Sequence, residues 1–281
     1  MRKIIFLFMV CQSLNALAQF REDFSDGRFL GENRAVVWSG DVADFQVNTA
    51  LQLQLNSSVT TGSNFKSQLR TPNARLQHTT WSFDVKMGAK PTSGNYVNVF
   101  LASDEPDLIG SLNGFYIRIG HTKNNLCLIR SVKSGAEQFL IQGTENRLDK
   151  SSFKLSVKAI LDDDGVFKLY SRLDDETGFT EEGSCTVSLT TLPEAHWFGL
   201  VCTFSGGNSK KYYFDNIIVK NSDESDPEPE VPSEENLPVA NDLVINEILY
   251  DKPTGGEEYV ELYNRSTKSI DLRYVGITTR K

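Results

Sequence analysis

The sequence predicts an all-β chain: a two-sheet antiparallel sandwich of jelly-roll type, followed by the first strands of a second, smaller β unit. Three observations carry this expectation. Apolar residues recur at every second position through most of residues 20–220, clusters of turn-forming residues interrupt those runs at short intervals, and no stretch sustains the 3.6-residue period of an amphipathic helix. Many short antiparallel strands with polar outer faces bury their apolar sides best as two sheets packed face to face.

In chain order, residues 1–19 read as an export signal. Arg2 and Lys3 precede the apolar run Ile4 to Val10, and Ala16-Leu17-Ala18 supplies a small-x-small cleavage site, so the mature chain is expected to begin at Gln19 or Phe20. That apolar run is shorter than the roughly 20 residues a membrane helix needs, and no later stretch is long enough. The bulky Phe8-Met9-Val10 before Cys11 argues against a lipid anchor. The expected destination is extracellular or the cell surface, with no membrane span.

Residues 20–220 form the first domain. Leu51 to Leu55, Trp81 to Met87, Phe115 to Ile119 and Phe153 to Ala159 alternate apolar with polar, so each reads as a strand with one buried face. Asn56-Ser57-Ser58, Gly88 to Asn95, Asp162 to Gly165, Asp174 to Gly178 and Ser205 to Asn208 are the turns between strands. Residues 221–241 then change character: four prolines and seven carboxylates, with no Lys or Arg, make an extended acidic linker that cannot bury enough surface to offset its ordering entropy. Residues 242–281 return to strand-like runs. They are too few for a complete sandwich, so the first domain is expected to fold alone while this segment needs further chain or another partner.

Charge and cysteine use narrow the function. The net charge of −8 is nearly accounted for by the seven linker carboxylates, which leaves the folded part near neutral, without the basic stripe that nucleic acid requires. Beyond the signal lie Cys127, Cys185 and Cys202; a Cys185–Cys202 bridge fits the sequence, and small buried thiols are the commoner state of such residues.

The first domain ends on His196 to Phe204, a glycine-rich turn, and Tyr212-Tyr213-Phe214-Asp215-Asn216-Ile217-Ile218-Val219. It opens on Asp23-Phe24-Ser25-Asp26-Gly27, the expected counterpart of that closing strand. This pairing resembles the concanavalin A-like lectin and glucanase sandwich of exported Bacteroidota proteins, which implies a binding module or a glycoside hydrolase. The runs Ile245-Asn246-Glu247-Ile248-Leu249-Tyr250-Asp251, Glu257 to Ser266 and Ser269-Ile270-Asp271-Leu272 resemble the first half of a lamin tail domain, an immunoglobulin-like sandwich. That family usually carries a Trp shortly after the last of these residues, where this chain has Tyr274 and Val275.

Candidate chemistry follows. Hydrolysis of the kind the glucanase resemblance implies needs two carboxylates facing each other across a cleft, and no strand carries the family's Glu-x-Asp-x-x-Glu spacing. Asp162 to Asp164 and Asp174 to Glu176 precede glycines, as turn residues do. His78, His121 and His196 are far apart, without ligand spacing for zinc, and neither a nucleophile elbow nor a phosphate-binding glycine loop occurs. Binding has better candidates. If Phe115, Ile117 and Ile119 face the core, Tyr116 and Arg118 face out; Tyr96 and Asn98 do so by the same argument, and Arg130 is grouped with them. Aromatic rings, amides and guanidinium groups are what a glycan site needs; the competing reading is an ordinary polar sheet face. Asp26 and Asp215 form a candidate calcium pair, competing with an Asp-Gly turn at Asp26 and a β-bulge at Asp215, where the alternation falters. The function expected is binding or adhesion by an exported, non-catalytic modular surface protein, with glycans or cell-surface components as partners. A carbohydrate-recognition module that targets a larger extracellular enzyme is the alternative, and a glycoside hydrolase of this fold the third.

Overall fold

The computed structural model describes residues 20–31, 34–222, 239–249, 259–268 and 270. The expected signal peptide, most of the linker and the segment from Asp271, with Leu272, Tyr274 and Val275, lie outside the described residues.

The chain divides into two units, residues 1–223 and 224–281. Among the described residues the first contains fifteen strands. In order they are β1 (Phe20–Glu22), β2 (Ser39–Gly40), β3 (Phe45–Val47), β4 (Leu53–Leu55), β5 (Phe65–Pro72), β6 (Thr79–Met87), β7 (Tyr96–Ser103) and β8 (Gly114–Gly120). There follow β9 (Asn125–Ser131), β10 (Gln138–Gln142), β11 (Phe153–Leu161), β12 (Val166–Leu173), β13 (Thr180–Thr186), β14 (Trp197–Phe204) and β15 (Tyr212–Asn221). Three single 3-10 turns are the only helical elements among the described residues, and none is long enough to cross a membrane.

Two antiparallel sheets result. The eight-stranded sheet runs β13-β12-β11-β6-β15-β4-β3, with β1 also paired to β15; the seven-stranded sheet runs β10-β9-β8-β7-β14-β5-β2. Period-two alternation sets their inner faces: Trp81, Phe83, Val85 and Met87 on β6 and Phe153, Leu155, Val157 and Ala159 on β11 meet Phe115, Ile117 and Ile119 on β8 in one core cluster. The Phe167 ring of β12 touches Phe115 at 5.2 Å and Trp81 at 6.2 Å, so the two sheets interlock directly.

The first and last strands pair, Phe20 with Val219 and Glu22 with Ile217. The opening partner is therefore β1 itself. Asp23 to Gly27 is a turn beyond it, in which Phe24 (φ +53°) sends a fully buried ring into the core. The expected bulge is present: the β15–β6 register shifts between Asp215 and Ile218, and Asn216 takes φ +49° to accommodate the extra residues. Cys127, Cys185 and Cys202 are all free thiols, so the Cys185–Cys202 bridge does not form; burial pushes all three thiols up from their ordinary value.

In the second unit the described strands β16 (Leu243–Leu249) and β17 (Tyr259–Asn264) form an antiparallel pair with Ile245 opposite Leu262 and Ile248 opposite Val260. Ile245, Ile248 and Val260 are exposed there.

Candidate functional site

The seven-stranded sheet differs from a simple sandwich face because its outer side is also partly buried. Every residue of β8 is buried, Tyr116 and Arg118 included. The sequence expectation that these two point away from the core is right in direction but wrong in exposure: residues 104–113 cross the outer face over Tyr116, and Asn98, Tyr96, Tyr116 and Glu137 surround Arg118. Leu108 and Leu112 from that segment pack with Phe100, Tyr116, Cys127, Ile129 and Val201 into a second, smaller apolar cluster. On β7 the member of this cluster is Phe100. Phe100 lies on the outward side by alternation with Tyr96 and Asn98, its ring 4.8 Å from that of its partner Tyr116, and the bulge follows it, where Ala102 pairs with Phe115.

Several polar contacts pin the covering segment. Gln68 on β5 donates to Asp107 at 3.1 Å and accepts the Leu108 N–H at 2.8 Å. Asp104 accepts the backbone N–H and side-chain amide of Asn113 at 2.8 and 2.7 Å, and Lys133 reaches Asp104 at 3.3 Å. Gly199 on β14 makes room beneath: a Cβ there would lie 2.3 Å from Leu108 Cδ1 and 2.4 Å from the Leu69 carbonyl oxygen.

Beside this lid the outer face is polar, and strand register arranges it in rows. One row runs Lys66, Thr203, Tyr96 and Gly120 across β5, β14, β7 and β8; the next runs Gln68, Val201, Asn98, Arg118 and Cys127 across β5 to β9. A cavity of about 120 Å³ opens over them, lined by Lys66, Tyr96, Asn98, Tyr116, Arg118 and Thr203, with Glu137 from the β9–β10 connection at its rim. A second cavity of about 240 Å³ shares Arg118 and continues past His121, Cys127 and Phe139.

Arg118 is the hub. Four of its five N–H groups are committed: Nε to Asn98 at 3.2 Å, Nη1 and Nη2 to the two Glu137 oxygens at 3.0 and 2.8 Å, and Nη2 also to the Tyr116 hydroxyl at 3.0 Å. The Tyr116 hydroxyl in turn donates to Glu137. The guanidinium sits 5.4 Å from the Tyr96 ring and 5.5 Å from the Tyr116 ring, and His121 closes edge-on to Tyr96 at 4.9 Å. Thr203 is the exception. The residue lines the cavity, and its buried hydroxyl has no hydrogen-bond partner among the described residues.

Electrostatics follow from this packing. Burial works against the Glu137 charge, yet the hydrogen bonds from Arg118 and Tyr116 hold its carboxyl below the ordinary 4.5. Burial, then the Arg118 charge, holds His121 below the ordinary 6.5. In the lid, Asp107 is lowered by Gln68 and the Ile109 N–H, and Asp104, against burial, by Asn113 and Lys133. Each group binds its proton less readily folded than unfolded, so each contributes stability that falls as pH falls. The thermal midpoint should begin to decline below about pH 6.5 as the unfolded chain protonates His121, and more steeply below about pH 4.5 as the carboxylates follow. A pH series of melts checks this: His121→Gln should remove the first decline, and a midpoint that rises on acidification contradicts the assignment.

Of the sequence candidates, Tyr96, Asn98, Tyr116 and Arg118 meet at one cavity. Arg130 does not join them. It shares the inward side of β9 with Leu126 and Leu128, lies 5.8 Å from the Phe115 ring, and donates to the Thr191 carbonyl at 2.6 Å. Asp26 and Asp215 sit in separate clusters. Asp26 accepts the Arg28 N–H at 3.1 Å and pairs with Arg34, which also grips both Glu22 oxygens at 2.9 and 2.7 Å. Asp215 accepts the Asn216 N–H at 2.8 Å opposite Asp84, and burial raises its carboxyl. Among the described residues no group of three or more His, Cys, Asp or Glu side chains is placed to hold a metal ion. Glu137, Thr203 and Lys66 are the site residues that sequence reasoning missed.

The geometry defines a β-sandwich module with a preorganised polar cleft on one outer sheet face. No protein-family model and no curated protein matches the chain. Solved structures that align with it include peanut lectin in complex with a nine-residue peptide, at 16% identity over 72% of this chain and 96% of that one, with a TM-score of 0.48. The Lotus tetragonolobus seed lectin aligns at 12% identity over 72% and 97%, also with a TM-score of 0.48. The lumenal domain of VIP36, in its calcium- and mannose-bound form, aligns at 12% identity over 68% and 85%, with a TM-score of 0.46.

Proposed function

We propose that the first unit recognises a glycan on the outer face of the seven-stranded sheet, as the binding part of an exported modular surface protein. The observation that carries this reading is the convergence of Tyr96, Asn98, Tyr116 and Arg118, from two adjacent strands, on one cavity. Aromatic rings offer a sugar's apolar face a surface, and a fixed network of amide, hydroxyl and guanidinium groups bonds its hydroxyls at low entropic cost. Binding is favoured over hydrolysis because the cavity lining has a single carboxylate, Glu137, and Arg118 engages both of its oxygens. Whether the module serves adhesion or targets a larger extracellular enzyme is a matter of its context in the cell, and the site chemistry is the same in both.

A glycan array probed with the intact chain tests the reading. Wild-type protein should bind a restricted set of glycans, and Asn98→Ala should weaken that binding at least tenfold while moving the thermal midpoint by no more than about 4 °C, as expected for loss of one hydrogen bond. Equal binding by wild type and variant, or no binding to any glycan, overturns it.

A further inference from the structure

We propose that the glycan carries an oxyanion, a carboxylate or a sulfate ester, held between Lys66 Nζ and the Thr203 hydroxyl. This rests on the glycan reading above and names the substrate class of the same site. Two independent observations point to it. The first is Thr203: the residue lines the cavity and is 3% exposed, and its hydroxyl, closed off from solvent, has no hydrogen-bond partner among the described residues. A buried hydroxyl left without a partner is costly, so such groups are usually completed by water or ligand. The second is the balance of charge around the same space.

The lining contains two cations, Lys66 and Arg118, and one acid, Glu137. Glu137 and Arg118 cancel through their two parallel hydrogen bonds. Lys66 remains. It has no ion pair among the described residues, and it stands directly across the β5–β14 pairing from Thr203. An ammonium group on the residue paired with Thr203 adds a second donor and one net positive charge, which a neutral sugar does not use and an oxyanion does. Tyr96, the next residue in the row, supplies the ring against which the sugar carrying that anion would lie.

The experiment compares uronate oligosaccharides, sulfated oligosaccharides and their neutral counterparts of equal length, with the intact chain in solution. At least one acidic class should bind ten times or more tighter than its neutral counterpart, and the uronate and sulfate arms distinguish the two sources of the anion. Raising salt from 50 to about 500 mM should shrink the preference, because the site is open to solvent. Lys66→Met should bring the acidic-to-neutral ratio close to one. Thr203→Val should lower acidic binding at least threefold while leaving the thermal midpoint unchanged or raised, since the hydroxyl it removes has no partner in the fold; a merely structural threonine would lower the midpoint instead. A neutral glycan bound as tightly as the acidic ones, or a preference that survives Lys66→Met, overturns this proposal and leaves the glycan site standing. Absence of binding to all three classes overturns both.

Discussion

Arg118→Met is expected to abolish glycan binding, by more than 100-fold, and to lower the thermal midpoint of the first unit by about 4–8 °C. Arg118 is the one side chain that holds Asn98, Tyr116 and Glu137 in a single arrangement, so its loss leaves three acceptors without their common donor. Breaking a fully buried ion pair costs about 3–5 kcal/mol. Here the Arg118 side chain is 10% exposed and that of Glu137 44%, so water restores part of the loss on the Glu137 side. About 2 kcal/mol is the result, at roughly 2–4 °C per kcal/mol for a unit of this size. Binding suffers more than folding, because methionine keeps the packing of the arginine stem for the fold, whereas the ligand needs the guanidinium and the three groups it orients. Arg118→Lys should recover stability but little binding, since an ammonium cannot make the paired contact with Glu137. Calorimetry and isothermal titration on the two variants check both statements; a Lys variant that binds like wild type contradicts them.

The second large effect concerns the lid. Gly199→Ala should lower the midpoint by about 6–10 °C, because the new methyl collides with two partners at once. Leu108 Cδ1 can move, but the Leu69 carbonyl is backbone of the paired strand and cannot yield without disturbing the ladder. Overpacking of this kind costs about 1–3 kcal/mol, and a displaced Leu108 would add exposure of Phe100, Tyr116 and Val201. A double-mutant cycle tests the geometry: Leu108→Ala should cost about 2–3 kcal/mol in the wild type and distinctly less in Gly199→Ala, where the side chain is already displaced. Simple additivity would mean that Leu108 does not rest on Gly199.

How much of this could be read from the residues depends on range. Alternation is local, so it assigned Phe115, Ile117 and Ile119 inward and Tyr116 and Arg118 outward, and it marked the bulge at Asp215 where it failed. The same rule applied through β9 places Arg130 with Leu126 and Leu128, so grouping it with Arg118 went against the rule rather than following it. Burial of Tyr116 and Arg118 was not legible, because it depends on groups distant in sequence: Leu108 and Leu112 for Tyr116, and Glu137 for Arg118. Glu137 lies in a connection without period. Its one signal is physical: an arginine held beside a tyrosine on a sheet face calls for a carboxylate partner. Thr203 was hidden inside the continuous apolar run of β14, which has both faces buried.

The central claim is that the outer face of the seven-stranded sheet is the binding face. Amide chemical-shift mapping of the intact chain, titrated with the tightest-binding glycan from the array, tests it most directly. The predicted result is a contiguous set of shifts at Lys66, Tyr96, Asn98, Arg118 and Thr203, on four adjacent strands, with the outer face of the other sheet unmoved. Shifts centred on Lys86, Lys154 and Arg172 of that other sheet, with those five residues unmoved, would contradict it.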